Sequence, residues 1–236
     1  EHQSGRSPAE ILATVRQRRD TLRDHETTEF GAMDNIDLRF GTARIEAPGV
    51  VSITAADGQI TRAEAKHIVV CTGSSPRRIP VEGLPDDRYL TNEELFEQTE
   101  APGHLVIVGA GPIGVEMATA FIRLGTKVVL LDAEPRVLPT MLPAASAVVA
   151  RSLEALGVDV RGATVAKRFD PATNALHVGP PDGDETASIP GVDKVLVAVG
   201  QVANSAGLGL EEVGVDLDQG RIVIDAKGRT SVGNIW

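Results

Sequence analysis

The chain has 236 residues, with 33 Asp and Glu against 23 Lys and Arg and a net charge of −10. That balance argues against nucleic acid or an anionic membrane surface as a partner. Apolar residues make up 42% but aromatics only 3%, so a core must be built from Val, Ile, Leu and Ala; the length suits one large domain or two small ones. No apolar stretch is long enough to span a membrane, and the opening EHQSGRSPAE lacks a signal-peptide pattern. Cys71 is the single cysteine, which excludes an internal disulfide and a cysteine metal cluster. His2, His25, His67, His104 and His177 are scattered without metal-ligand spacing. These traits suit a cytoplasmic enzyme. The first residue, Glu1, and an apolar ending at Ile235–Trp236 that reads as a strand cut short are expected of a piece of a longer protein.

Taken in order, Ser7-Pro8-Ala9-Glu10 is a helix start, with Ser7 as cap, Pro8 in the first turn and Glu10 closing a capping box; the helix is expected to reach about Thr27. Three strand-like segments follow: Ile36 to Ile45, broken at Gly41; Val50 to Thr54 after the Pro48-Gly49 turn; and Gln59 to Ala65 after Asp57-Gly58. They read as a small antiparallel meander. Lys66 to Cys71 reads as a buried apolar strand, which would make Cys71 an inert core thiol. Residues 76–91 cross over without regular structure. Thr91 or Asn92 then caps a short helix through Gln98, with Glu93 and Glu94 in its first turn.

Leu105 to Leu138 is the most informative stretch. Leu105–Val108 is a continuous apolar run suited to a strand buried on both faces. Gly109, Gly111 and Gly114 follow in G-x-G-x-x-G spacing, then a helical pattern from Ile113 to Leu124 stopped by Gly125, then a second strand, Lys127 to Leu131, ending at Asp132. The spacing has a physical reason. The first glycine allows the tight turn, the second lets a pyrophosphate approach the backbone, and the third lets the helix lie close on the sheet. The free N–H groups and dipole of the helix start attract phosphate, and Pro112 suits a first turn where N–H groups lack intrahelical partners. Asp132 is placed to accept hydrogen bonds from a ribose.

Beyond it, a helix from Pro143 to about Leu156 ends at Gly157. Val158–Val160 is a short strand, Ala163–Phe169 and Leu176–Val178 a hairpin, Pro180–Glu185 a polar turn, and Lys194–Val199 a buried strand ending at Gly200. Residues 201–220 read as loop with a short helix near Leu210, and Arg221–Asp225 as a strand. The chain is therefore expected to be α/β, with a nucleotide-binding domain over 81–200 inserted into a second domain made of 1–80 and 201–236, hinged at Gly73 and Gly200.

HIVVCTGSSPRRIP, LVIVGAGPIGVEMA with LLDAEPRVLP, and VDKVLVAVG with Asn204, GLEEVGV and RTSVGNIW resemble segments of the two-dinucleotide-binding flavoproteins, the class I pyridine nucleotide-disulfide oxidoreductases. The resemblance covers nearly the whole chain. It implies a Rossmann-like NAD(P)-binding domain, a parallel sheet plus β-meander, set into a partial FAD-binding domain. It implies hydride transfer from NAD(P)H to FAD and on to a small-molecule or nucleotide acceptor, with a homodimer for the full-length protein. By this resemblance Gly109, Gly111 and Gly114 hold the NAD(P) pyrophosphate, and Pro112, where some relatives have an aromatic gate over the flavin, and Ile113 belong to the same NAD(P) site. Asp132 meets the ribose, Ala133 belongs to the same NAD(P) site, Val165 packs near the adenine and Gly200 lies at the nicotinamide end. Asp132 favours NAD; Arg136 would admit NADP, and reads equally as a solvated loop charge. Gly41 and Ala43 match a G-x-A that meets the FAD adenine, although a strand bulge explains them as well. Thr72, Gly73 and Ser74 match the hinge beside the flavin. Glu116 matches a glutamate that supports the flavin through an upstream lysine, the competing reading being an exposed helix residue. Gln201 and Ala203 depart from the Arg and Pro common after the glycine at 200. Neither the family's first GxGxxG, nor its redox Cys pair, nor its dimerisation domain is in this sequence. DLRFGTARI with AKHIVVCTGS looks most like the soluble transhydrogenase; a dihydrolipoamide dehydrogenase or other disulfide reductase is the alternative, and a non-catalytic nucleotide-binding module the reading of another class.

Overall fold

The computed structural model describes residues 5–236, so Glu1 and His2 lie outside the described residues. The chain forms two compact units: one gathers the chain up to Leu22 with Pro76–Gly200, the other Arg23–Ser75 with Gln201–Trp236.

Helix α1 (Pro8–Gly31) opens on the expected capping box: the Ser7 N–H donates to the Glu10 carboxylate at 2.7 Å and the Glu10 N–H to Ser7 Oγ at 3.3 Å. It runs past Thr27 because no breaker comes before Gly31. Leu12 is its buried residue, and Arg16 and Arg19 clip it to the end of a short helix through the Gln98 carbonyl and Glu97.

In the second unit β1 (Thr42–Ala47), β2 (Val50–Thr54) and β3 (Ile60–Glu64) form the expected antiparallel meander. The strand expected over 36–45 begins only at Thr42. Residues 36–40 are exposed and join no strand among the described residues, and Gly41 passes so close to β2 that a Cβ would stand 2.5 Å from the Thr54 carbonyl. Lys66–Cys71 corrects a second expectation. It is extended but joined along one edge only, through an Ile68–Ile235 bridge with Ile68 N–H on the Asn234 carbonyl and Val70 N–H on the Trp236 carbonyl. An apolar run is buried only when partners cover it; here Val69 and Cys71 are exposed, so Cys71 is not a core thiol.

β4 (Ser74–Pro76) leads out of this unit, and β5 (Tyr89–Leu90) and α2 (Asn92–Glu97) follow. α2 carries a second capping box, between Thr91 and Glu94. The main sheet of the first unit is then laid down by β6 (His104–Val108), α3 (Pro112–Arg123), β7 (Lys127–Leu131), α4 (Pro143–Ala155) and β8 (Asp159–Arg161). Three strands come next, β9 (Val165–Asp170), β10 (Ala175–Gly179) and β11 (Ala187–Ile189), before β12 (Lys194–Val197) closes the sheet. The five parallel strands stand in the order β5-β12-β6-β7-β8. The expected hairpin gains β11 as a third strand because the chain returns after the polar turn and buries Ile189.

The strands β6, β7 and β12 are buried along both faces, and their alternation sorts side chains into two cores. Leu105, Ile107, Leu130 and Leu196 pack with Ala118, Phe121 and Leu153 of the helices. Val106, Val108, Val129, Leu131, Val195 and Val197 pack with Phe169, Leu176, Val178 and Ile189 of the antiparallel layer. Each such side chain stabilises the fold by about 1.5–3 kcal/mol. The unit is thus three layers, with helices on one face of the sheet and β9–β11 on the other.

After β12 the chain re-enters the second unit through β13 (Gln201–Ala203), which pairs with β4, and finishes with the hairpin β14 (Leu217–Asp218) and β15 (Arg221–Ile222). No helix forms near Leu210. Gly207, Gly209 and Gly214 sit at φ of +78°, +77° and +87° and turn the chain instead. The strand expected to reach Asp225 stops at Ile222.

His104, at the start of β6, is buried; Nδ1 faces the Gly191 carbonyl at 3.2 Å and Nε2 has no partner among the described residues. Burial above all, then Lys127, holds its pKa below the ordinary 6.5, against the opposing pull of the Gly191 and Pro190 carbonyls and Asp193. The fold therefore prefers neutral His104. Its contribution is present above pH 6.5 and is lost as pH falls through the lowered value. The urea midpoint is expected to drop between pH 7 and 5, and His104→Gln to flatten that slope; an unchanged slope in the variant would exclude His104 as its source.

Candidate functional site

The strand order reverses at β6: β7 and β8 lie to one side, β12 and β5 to the other. In open parallel sheets ligands bind in the crevice outside the carboxyl ends of the strands at such a switch point. A cleft of about 500 Å³ opens there.

Its floor is the glycine turn. Gly109 leaves β6 at φ +106°, and a Cβ on it would stand 2.5 Å from the Ala198 carbonyl at the end of β12. Gly114, buried in the first turn of α3, lies so near that a Cβ would overlap the Gly109 carbonyl oxygen. Gly111 caps α3 and has nothing within 4 Å of where its Cβ would be, so the backbone there faces open space. With Pro112 next, the first N–H groups of α3 have no intrahelical partner and the positive end of the helix dipole points into the cleft. A cradle that a Cβ would fill, lined by unpaired N–H groups, fits the pyrophosphate of a dinucleotide.

Asp132 follows β7. Its Oδ2 accepts the Ala110 N–H at 2.5 Å and its Oδ1 the Glu134 N–H at 2.8 Å. Those two bonds fix the carboxylate beside the glycine turn and leave lone pairs for a ribose hydroxyl.

The cleft brings together Gly109, Gly111, Pro112, Ile113, Asp132, Ala133, Val165 and Gly200 of the residues expected from sequence. Gly114 lies beneath it. Arg136 lines instead a neighbouring cavity of about 270 Å³ that shares Asp132, and its guanidinium is engaged by the Pro139 and Met141 carbonyls at 2.6 and 2.9 Å. Arg161, on the same cavity, pairs with Asp159 at 2.6 Å. Glu116 is exposed on α3, outside the cleft lining. The residues expected for a second nucleotide are in the other unit. Ala43 lies in β1 opposite Ile53, and the approach to Thr54 accounts for a glycine at Gly41. Thr72, Gly73 and Ser74 are tied to the start of the return segment. Thr72 Oγ1 donates to the Asn204 carbonyl at 2.7 Å, Asn204 Nδ2 to the Thr72 carbonyl at 3.0 Å, the Asn204 N–H to the Gly73 carbonyl at 3.0 Å, and Ser74 to Gln201.

Arg77, Ile79, Ala198 and Val199 also line the cleft and were not expected. Nothing in the pair Arg77-Arg78 separates the two: Arg78 turns to Glu94 and stacks over the Tyr89 ring at 5.1 Å, while Arg77 faces the cleft. Among the described residues Arg77 and Asp132 are the only ionisable ones of the lining, so the cleft is built to bind and orient rather than to transfer protons. No group of three or more metal-ligating side chains occurs among the described residues.

Residues 4–236 match the family described as pyridine nucleotide-disulphide oxidoreductase. A dihydrolipoyl dehydrogenase of Pseudomonas aeruginosa is 31% identical over 98% of the chain and 49% of its own length; one of Chlorobaculum tepidum is 35% identical over 85% and 43%. Among solved structures, the HOCl-induced flavoprotein disulfide reductase RclA of Escherichia coli superposes with a TM-score of 0.87 at 27% identity, covering 99% of this chain and 52% of its own. The chain spans about half the length of the curated relatives it matches. These matches agree with the resemblance read from the motifs.

The two inner glycines are expected to behave differently on substitution. Gly114→Ala loses about 2 kcal/mol or more of unfolding free energy, because the overlap is with backbone. Gly111→Ala loses less than about 1 kcal/mol but weakens dinucleotide binding about tenfold by filling the cradle. Denaturation and nucleotide titration of both variants check this; equal stability losses would contradict the assignment.

Proposed function

Because the chain belongs to the pyridine nucleotide-disulphide oxidoreductase family, we propose that it carries the nicotinamide-nucleotide site of an FAD-dependent oxidoreductase that passes hydride from NAD(P)H through flavin to a disulfide acceptor. The family uses FAD and NAD(P)H. The observation that carries the reading is the cleft at the β6–β12 switch point, floored by Gly109, Gly111 and Gly114 and flanked by Asp132. The flavin supplies the two-electron relay between nucleotide and acceptor. The residues of this chain hold and orient: the start of α3 takes the pyrophosphate, Asp132 the adenosine ribose, and the segment ending at Gly200 the nicotinamide half. Gly41, Ala43, Thr72, Gly73 and Ser74 are assigned to FAD, and Glu116 to the flavin side of α3, on the family resemblance alone. The same resemblance is the basis for a homodimer of the full-length protein, and composition with the single cysteine the basis for a cytoplasmic setting. Among the described residues no helix is long and apolar enough to cross a membrane.

A disulfide acceptor is preferred here to the second nucleotide that the transhydrogenase likeness implied. The relatives named above are dihydrolipoyl dehydrogenases and a flavoprotein disulfide reductase, which supports the alternative over the first choice.

The carboxylate at 132 also sets a preference. It repels a 2′-phosphate, and the nearby cations Arg136 and Arg161 are engaged by Pro139, Met141 and Asp159. NADH is expected to bind at least tenfold more tightly than NADPH, and Asp132→Ser to bring the two within about threefold. Calorimetric titration of the chain with each nucleotide tests both points. Absence of binding by either at millimolar concentration would sink the proposed site.

A further inference from the structure

Among the described residues, the cleft proposed for a dianionic pyrophosphate holds a single cation. Arg77 is exposed, lines the cleft, and its guanidinium makes no hydrogen bond or ion pair with any described residue. The neighbouring cations are occupied: Arg78 by Glu94, Arg136 by the Pro139 and Met141 carbonyls, Arg161 by Asp159. Arg77 is nevertheless firmly placed, since its N–H donates to the Gly200 carbonyl at 2.9 Å. That bond sets it just beyond β12, whose end packs against Gly109 through the Ala198 carbonyl. Asp132 sits on the other side of the glycine turn, past β7, bonded to Ala110. Anion-binding backbone therefore lies between a ribose-accepting carboxylate on the β7 side and a free guanidinium on the β12 side.

We propose that Arg77 is the charge anchor of the cleft and grips the pyrophosphate at its nicotinamide-side phosphate. Arginine suits the task because its planar fork meets phosphate oxygens in pairs, and a side chain with no prior partner loses none on binding. The assignment rests on the dinucleotide reading of the cleft and adds to it the side-chain charge that the α3 N-terminus lacks. In a chain of net charge −10 it also gives the anionic ligand a local point of attraction.

The test titrates the chain and its Arg77→Gln variant with NADH, with ADP-ribose, which keeps the pyrophosphate but has no nicotinamide, and with AMP, which has only the adenosine-side phosphate. Arg77→Gln is expected to weaken NADH and ADP-ribose alike by about tenfold or more and to leave AMP within about twofold. Arg77→Lys, which keeps the charge without the fork, is expected to recover part of the loss. The salt dependence of ADP-ribose binding is expected to become shallower in Arg77→Gln. Unchanged ADP-ribose binding in that variant overturns the proposal, and so does an equal loss of AMP, which would point to general damage. If the unsubstituted chain binds neither NADH nor ADP-ribose, the dinucleotide reading itself fails and the role of Arg77 falls with it.

Discussion

The approach of Gly114 to the Gly109 carbonyl is the contact on which the rest of the first unit depends. It brings the start of α3 down onto the end of β6, closer than any side chain permits. Because the helix starts there, its unpaired N–H groups lie at the mouth of the sheet and not above it. Because Gly109 turns at φ +106° against the Ala198 carbonyl, β12 can run in register beside β6 up to the same point. The turn thus fixes a helix, two strands and the floor of the cleft together. A residue with a Cβ at either position would separate those elements.

What surrounds this turn explains why it stays open. The sheet sends alternate residues of β6, β7 and β12 into two apolar cores, so the strands need nothing from the cleft for their stability. The loop after β7 is likewise self-supporting. Asp132 is held by two backbone N–H groups, Arg136 by two carbonyls, and Ser146 Oγ donates to the Val137 carbonyl at 2.5 Å. The binding surface is therefore preorganised by bonds that do not involve the ligand, which lowers the ordering cost of binding.

The stretch from Leu105 to Asp132 was legible because its structure is set by neighbours in sequence: a buried apolar strand, glycines at the positions that demand them, a helix stop at Gly125. The capping box at Ser7–Glu10 was readable for the same reason; at the second helix the cap was legible only as Thr91 or Asn92, and its box with Glu94 comes from the structure. Lys66–Cys71 was not legible, since an apolar run of that length becomes a buried strand only if partners cover it, and its partners here are distant residues on one edge alone. Residues 36–40 failed similarly, with β-like composition but no strand alongside. The turns around Leu210 escaped because Gly207, Gly209 and Gly214 act through positive φ, which outweighs the helical spacing between them. Arg77 and Arg78 are indistinguishable in the sequence. Adjacent and chemically identical, they part only because Glu94 and Tyr89 are within reach of one of them.

The electrostatic economy of the site follows from these placements. An acidic protein that binds a dianion can either gather many cations, which makes affinity steeply dependent on salt, or use oriented backbone dipoles, which do not move and are little screened when partly buried. Here the cations near the ribose end are committed to carbonyls and to Asp159, while the α3 start and one arginine face the ligand position. The attraction for an anion would then come from backbone N–H groups at fixed range together with Arg77, and its geometry from the glycines that leave the backbone open. A positive field of side chains would accept any polyanion. A cradle of N–H groups with a fixed carboxylate at one end would favour an anion that ends in a hydroxyl-bearing sugar at the matching distance, the chemistry of the dinucleotide proposed for it.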